Sequence, residues 1–166
     1  MPNRFKILRG IKKSHELGRL VELNHEKESN IWSTKKCNRF VGTDGWIFPP
    51  FVDKNAGIWA FTTDLCRSIH TVYTEDATVH GVHVEKYYGD LGDMSTNPAE
   101  KCYCPTPRTC LPNGIMYLTR CMGVPIYVTL PHFLRVDEAV QNTVKGLNPV
   151  TDEHIVRILI QPVRIF

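Results

Sequence analysis

Residues 102–110 read CYCPTPRTC: three cysteines in nine residues, with two prolines between the last two. Whether these sulfurs hold a metal, run a redox couple or staple the backbone decides what the rest of the chain can build. The remaining cysteines are Cys37, Cys66 and Cys121, so the total is six, which three disulfides would exhaust. Even counts suit an oxidised, extracellular framework, whereas the same pattern in a reducing compartment points to metal. A thioredoxin-type site needs C-x-x-C opening a helix, whose terminus lowers the thiol pKa. No such pair occurs, and Pro105 directly follows Cys104.

Zinc is the stronger rival. Cys102, Cys104, Cys110 and Cys121, with His132 as a substitute, offer thiolate and imidazole donors for a tetrahedral site. Their spacings are C-x-C, C-x5-C and C-x10-C, which give no second close pair and leave Cys37 and Cys66 unused. As a staple, Cys104 to Cys110 closes naturally as a short loop bent by Pro105 and Pro107. Cys102 and Cys104 are awkward to join to each other in extended chain. Six cysteines allow fifteen pairings, and spacing leaves the long-range bridges among Cys37, Cys66, Cys102 and Cys121 open. In the chain-entropy picture each long bridge contributes about 4 kcal/mol and the short one about 2. Together these rival the whole stability of an ordinary domain, roughly 5–15 kcal/mol.

Outward from this stretch the chain reads as β-rich. With 166 residues, 42% hydrophobic and 22% charged, it is long enough for a real core and too apolar for disorder. A net charge of +3 is mild and points away from nucleic acid. RFKILRG (4–10) and GRLVELN (18–24) each predict a short edge strand, and Arg4, Lys6, Arg9 and Lys12 fit its solvated side. CNRFVGTDGWIFPPFV (37–52) predicts a packed loop: an Asx-type turn at Thr43–Gly45, two prolines that exclude a central strand, and Phe40, Trp46, Phe48 and Phe51 buried against something. DLCRSIHTVY (64–73) fits a short helix or a strand, and TVHGVHVEKYY (78–88) reads as strand. There His80 and His83 would face opposite sides, a poor ligand pair. Residues 89–98 read as loop, 114–134 as alternating strand and turn, 136–149 as a helical turn stopped at Gly146 or Asn148-Pro149, and HIVRILIQPV as a strand. Motifs for a nucleophile elbow, a P-loop, a dinucleotide fingerprint or a zinc protease are absent. The reading is therefore non-enzymatic, with no cofactor or metal. The first twenty residues lack the apolar run of a secretory signal, and no stretch is apolar enough for a transmembrane helix.

CNRFVGTDGWIFPPF, DLCRSI, KCYC, PHFL and VKGLNP occur in this order, and with them the chain resembles the class B scavenger receptor family. GDLGDMSTNPAEKCYCPTPRTCLPNG followed by CMGVPIYVTLPHFL looks most like its insect branch, the sensory neuron membrane proteins, and within it the type-one-like subgroup. The resemblance implies a staple: Cys37 with Cys102, Cys66 with Cys121, and Cys104 with Cys110. It implies a β-rich α+β fold, part of a large antiparallel β-barrel ectodomain with short helices and a hydrophobic tunnel. Hydrophobic small molecules (fatty acids, sterols, lipid pheromones) would pass through it toward odorant receptors, with pheromone-binding proteins as further partners. The implied location is the extracellular face of the plasma membrane of olfactory neurons. Family chains are several-fold longer, so residues 1–166 are expected to be one partial ectodomain segment, with the match at about 18–162. Both membrane spans and the amino-terminal half of the ectodomain would lie outside it, and IQPVRIF departs from the family's usual ending. Phe48, Phe51, Ile126 and Val128 are the apolar candidates for the tunnel wall. A general lipid-uptake receptor of the same family and a cytosolic zinc module are the alternatives.

Overall fold

The computed structural model describes residues 2–106 and 108–162. Pro107 and the 163–166 tail, with the bend and the unusual ending read there, lie outside the described residues. Two compact units divide the chain, one drawn from residues 2–29, 39–89 and 157–162 and the other from 30–38 and 90–156.

The first unit is built from sheet. β1 (Phe5–Ile7) and β2 (Leu20–Leu23) pair antiparallel, Phe5 opposite Leu23, where the two short alternations predict strands. Lys6 Nζ donates to Glu22 Oε1 across the pair at 3.0 Å, so one of the early cations is a cross-strand partner at a wet edge. The main sheet has the order β3-β4-β5-β8, with β3 Ile58–Thr62, β4 Arg67–Val79, β5 Val82–Gly89 and β8 Val156–Ile160. DLCRSIHTVY resolves as strand from Arg67 onward, because Arg67 to Thr71 ladder antiparallel onto Thr62 to Ile58. TVHGVHVEKYY is not one strand but the tip of a hairpin, Val79 opposite Val82. The turn is His80-Gly81, with φ of 49° and 80°. Two successive positive φ values are what a two-residue type I′ turn requires. Histidine is not a usual turn former, which hid the break.

The 37–52 loop has its Asx turn: the Asp44 carboxylate accepts the N–H groups of Trp46 and Ile47, each at 3.0 Å, and Gly45 has φ 85°. Its expected burial is overturned at the tip, where Trp46 is 86% and Phe51 68% exposed. Phe48 is half-buried, and Phe40 packs edge-on to Phe61 at 4.8 Å. The loop is fixed by polar bonds instead. Val41 N–H donates to Ser68 Oγ, and Thr43 exchanges backbone bonds with Trp59 and Phe61. With the backbone settled that way, the large side chains need not face inward.

The second unit has little regular structure. Its helices are α1 (Lys35–Asn38), α2 (Thr119–Met122), α3 (Glu138–Gln141) and α4 (Thr151–His154), with 3-10 turns at Lys101–Tyr103 and Pro131–Phe133. β6 (Met116–Tyr117) and β7 (Tyr127–Val128) form a two-stranded ladder. Helices of four residues are far below the length that sustains itself in water. At α1 a side chain closes the turn: Asn38 accepts Trp32 N–H at 2.8 Å and donates to the carbonyls of Trp32 and Thr34. Trp32 meets Tyr103 edge-on at 5.0 Å, and Met116 and Leu118 are fully buried. Among the described residues no helix is long and apolar enough to cross a membrane.

Candidate functional site

The described residues of the cysteine-rich stretch, 102–106 and 108–110, belong to the second unit. Cys102 sits in the 3-10 turn at Lys101–Tyr103 and is disulfide-bonded to Cys37 on α1, their Cα atoms 6.4 Å apart. Cys104, at the end of that turn, is disulfide-bonded to Cys110 with Cα atoms 4.8 Å apart. Cys66, last residue of the turn joining β3 to β4, and Cys121, on α2, are disulfide-bonded as well, so none of the six sulfurs is a free thiol. A sulfur in a disulfide cannot serve as a zinc thiolate, so these cysteines do not make a four-cysteine metal site. Ser33 Oγ donates to the Cys102 carbonyl at 3.2 Å and ties the chain before α1 to the same turn. Beside it, the hydroxyls of Ser95 and Thr96 and their amides converge on Asp93 and pull its carboxyl down to about 2.

An apolar cleft of about 230 Å³ opens in the first unit, lined chiefly by Leu17, Val41, Pro49, Val52, Ile58 and Trp59, with His15 and Arg19 at its polar side. Its floor depends on a glycine. Gly42 has φ 85°, and a Cβ there would fall 1.8 Å from the Trp59 carbonyl oxygen, so the loop lies backbone to backbone on β3. Trp59 is 41% exposed and its indole stacks on the His70 imidazole at 4.4 Å, 14° from parallel. His70 Nε2 in turn lies 2.9 Å from the Ala56 carbonyl, which orients the stack.

A charged network fastens the loop after residue 52 to the hairpin. Lys54 Nζ bonds both Asp76 oxygens, at 2.8 and 3.1 Å, lies 3.4 Å from Glu85 Oε1 and sits over the Tyr73 ring. The Asp76 bond raises Lys54, and the same bond lowers Asp76. Tyr87, fully buried, donates its hydroxyl to Glu85 Oε2 at 2.8 Å, and burial followed by that carboxylate pushes its phenol up. These groups are bound to one another, and no reacting geometry is evident among them.

The four tunnel candidates fall apart by unit. Phe48 and Phe51 flank Pro49 and Pro50 in the first, the one half-buried and the other exposed. Ile126 and Val128 flank Tyr127 at β7 in the second, the one exposed and the other half-buried. The cleft described above uses their neighbours Pro49 and Val52 rather than Phe48 or Phe51. Sequence reasoning missed Val41, Ile58 and Trp59. An alternating IWAFT strand signals one outward aromatic at Trp59, but nothing local says that residues 41–43 run alongside it.

The chain matches the CD36 family across residues 2–164. It is 39% identical over 162 residues to sensory neuron membrane protein 1 of Apis mellifera, covering 98% of this chain and 31% of that protein. Against sensory neuron membrane protein 1 of Antheraea polyphemus it is 41% identical over 153 residues, 92% of this chain and 29% of the other. The protein of the same name from Mamestra brassicae is 39% identical over 162 residues, 98% and 31%. The chain thus spans just under a third of the length of the curated relatives it matches.

Proposed function

This chain belongs to the CD36 family, and from that membership we propose that it is one segment of the extracellular part of a non-enzymatic membrane receptor that binds hydrophobic molecules. Fatty acids, sterols and lipid pheromones are the ligand class, passed on toward odorant receptors in the membrane of olfactory neurons. The names of its relatives support the sensory setting. The observation that carries ligand binding is the apolar cleft walled by Ile58 and Trp59. Moving an alkyl chain from water to such a wall gains about 0.8 kcal/mol per buried methylene, with no chemical step required. The cleft is smaller than the roughly 300–1,000 Å³ of ordinary ligand pockets, so this segment supplies one stretch of a longer apolar conduit. Pairing of Cys66 with Cys121 belongs to the same proposal, and non-reducing peptide mapping tests it directly.

The binding test uses the oxidised chain and cis-parinaric acid, a fluorescent fatty acid. Saturable binding weakened at least about tenfold by Trp59→Ser, with the circular dichroism unchanged, is the expected result. An absence of saturable binding, or equal affinity in the variant, would overturn the assignment of the cleft.

A further inference from the structure

The second unit also brings together two histidines that the lipid-binding reading does not use. His132 lies in the 3-10 turn at Pro131–Phe133 and His154 ends α4, and their rings stack with centroids 4.4 Å apart and planes 20° apart. Each ring accepts a backbone N–H on Nδ1: Asn148 donates to His132 at 3.1 Å, and Val150 donates to His154 at 2.9 Å. An N–H group can donate only to a bare nitrogen, so each ring is neutral and carries its proton on Nε2. His132 reaches this position from a strained backbone. Its φ is 52°, and Phe133 and Arg135 follow at 56° and 62°, three left-handed residues without a glycine. The Gln141 side-chain amide holds that run, donating to the carbonyls of Phe133 and Val136 at 2.8 and 3.0 Å.

We propose that the stacked His132–His154 pair is an acid-released latch on the segment from residue 148 to β8. A proton added to either ring must go to Nδ1, because Nε2 already carries one. That turns an acceptor into a donor aimed at a backbone N–H, and the bond is lost. A second proton would leave two cations face to face. The latch therefore takes up protons as it opens, so acid favours the open form. The charged groups on the neighbouring elements are Asp152 and Glu153 on α4, Lys145 before it, Asp137 and Glu138 at α3, and Arg135, which is paired with Asp90. Among the described residues neither ring has an ion-pair partner. The segment set free leads through buried Ile155 into β8, so acid acts on the entry to a sheet strand.

The test is NMR on the intact, oxidised, ¹⁵N-labelled chain. At about pH 7.5 both rings should show the Nε2–H tautomer. At about pH 5 the amides of Asn148 and Val150, corrected for intrinsic exchange, should lose at least about tenfold in protection. In His154→Gln the side-chain oxygen accepts without titrating, so Val150 should stay protected at both values. An Nδ1–H tautomer in either ring at the higher pH, or unchanged protection at the lower, would overturn the latch. So would an acid-dependent loss that persists in the double variant His132→Gln, His154→Gln. Should the variants fail to fold, the tautomers and the wild-type exchange decide alone.

Discussion

β4 runs thirteen residues and is laddered on both sides, while in the second unit no helix or strand wholly among the described residues exceeds four residues. The two regions also differ in where they put apolar side chains. The sheet unit buries Leu20, Ile58, Phe61, Val84 and Tyr87 but turns Trp46, Ile47, Phe51, Trp59 and Val72 outward. The stapled unit buries more: Trp32, Met116, Leu118, Leu130, Leu134 and Val136 among them. A ladder satisfies the backbone by itself, so side chains are released for other contacts. An irregular backbone has no such partner in every residue, and its ordering entropy must be offset by close packing and by cross-links that restrict the unfolded chain.

The sharpest way to break the contrast is reduction. With Cys37→Ser and Cys102→Ser together, loss of a bridge spanning 65 residues should cost about 4 kcal/mol. Hydrogen exchange should rise first across 90–156 while β4 and β5 stay protected, and equal loss in both units would dissolve the distinction. The pair Cys104→Ser, Cys110→Ser removes a bridge spanning only 6 residues and should cost about 2 kcal/mol by denaturant unfolding, again within the stapled unit. On the sheet side, Tyr87→Phe takes away a buried donor to the Glu85 carboxylate and should cost about 1.5 kcal/mol, leaving the amide protection of residues 90–156 unaltered.

The smallest effect is local and set by pH. Asp93 is held down to about 2, so its hydrogen bonds are fully favourable above the ordinary carboxylate range. They should be lost only as pH falls from about 4 toward about 2. The chemical shifts of the Ser95 and Thr96 amides should hold steady above that window and move within it, and movement near neutral pH would contradict the assignment.

What could be read beforehand follows the same division. β1, β2 and β8 were legible because their alternation is a local property of five to seven residues, and the Asx turn because Asp44-Gly45 forces it. The hairpin break at His80-Gly81 was not, since only a positive φ at a histidine reveals it. Burial of the 37–52 loop was misjudged from its aromatic content, because the bonds that fix it come from Ser68, Trp59 and Phe61, more than fifteen residues away. The cysteines showed a staple by number and a short loop by spacing. The long partners needed the family resemblance, as loop closure is too weak a function of length to choose among them. Neither the Trp59 wall nor the histidine pair had a local sign, since each depends on two distant segments meeting.

The Cys37–Cys102 bridge has a further consequence in time. Cys37 emerges from the ribosome 65 residues before Cys102. At the usual rate of about 5–20 residues per second that is a wait of roughly 3–13 s. Within it β3, β4 and β5 are all synthesised, and hairpins form in microseconds. The bond therefore closes around a meander that has already had time to fold. A protease cut in the turn between β3 and β4 would leave two pieces that part on a gel only after reduction.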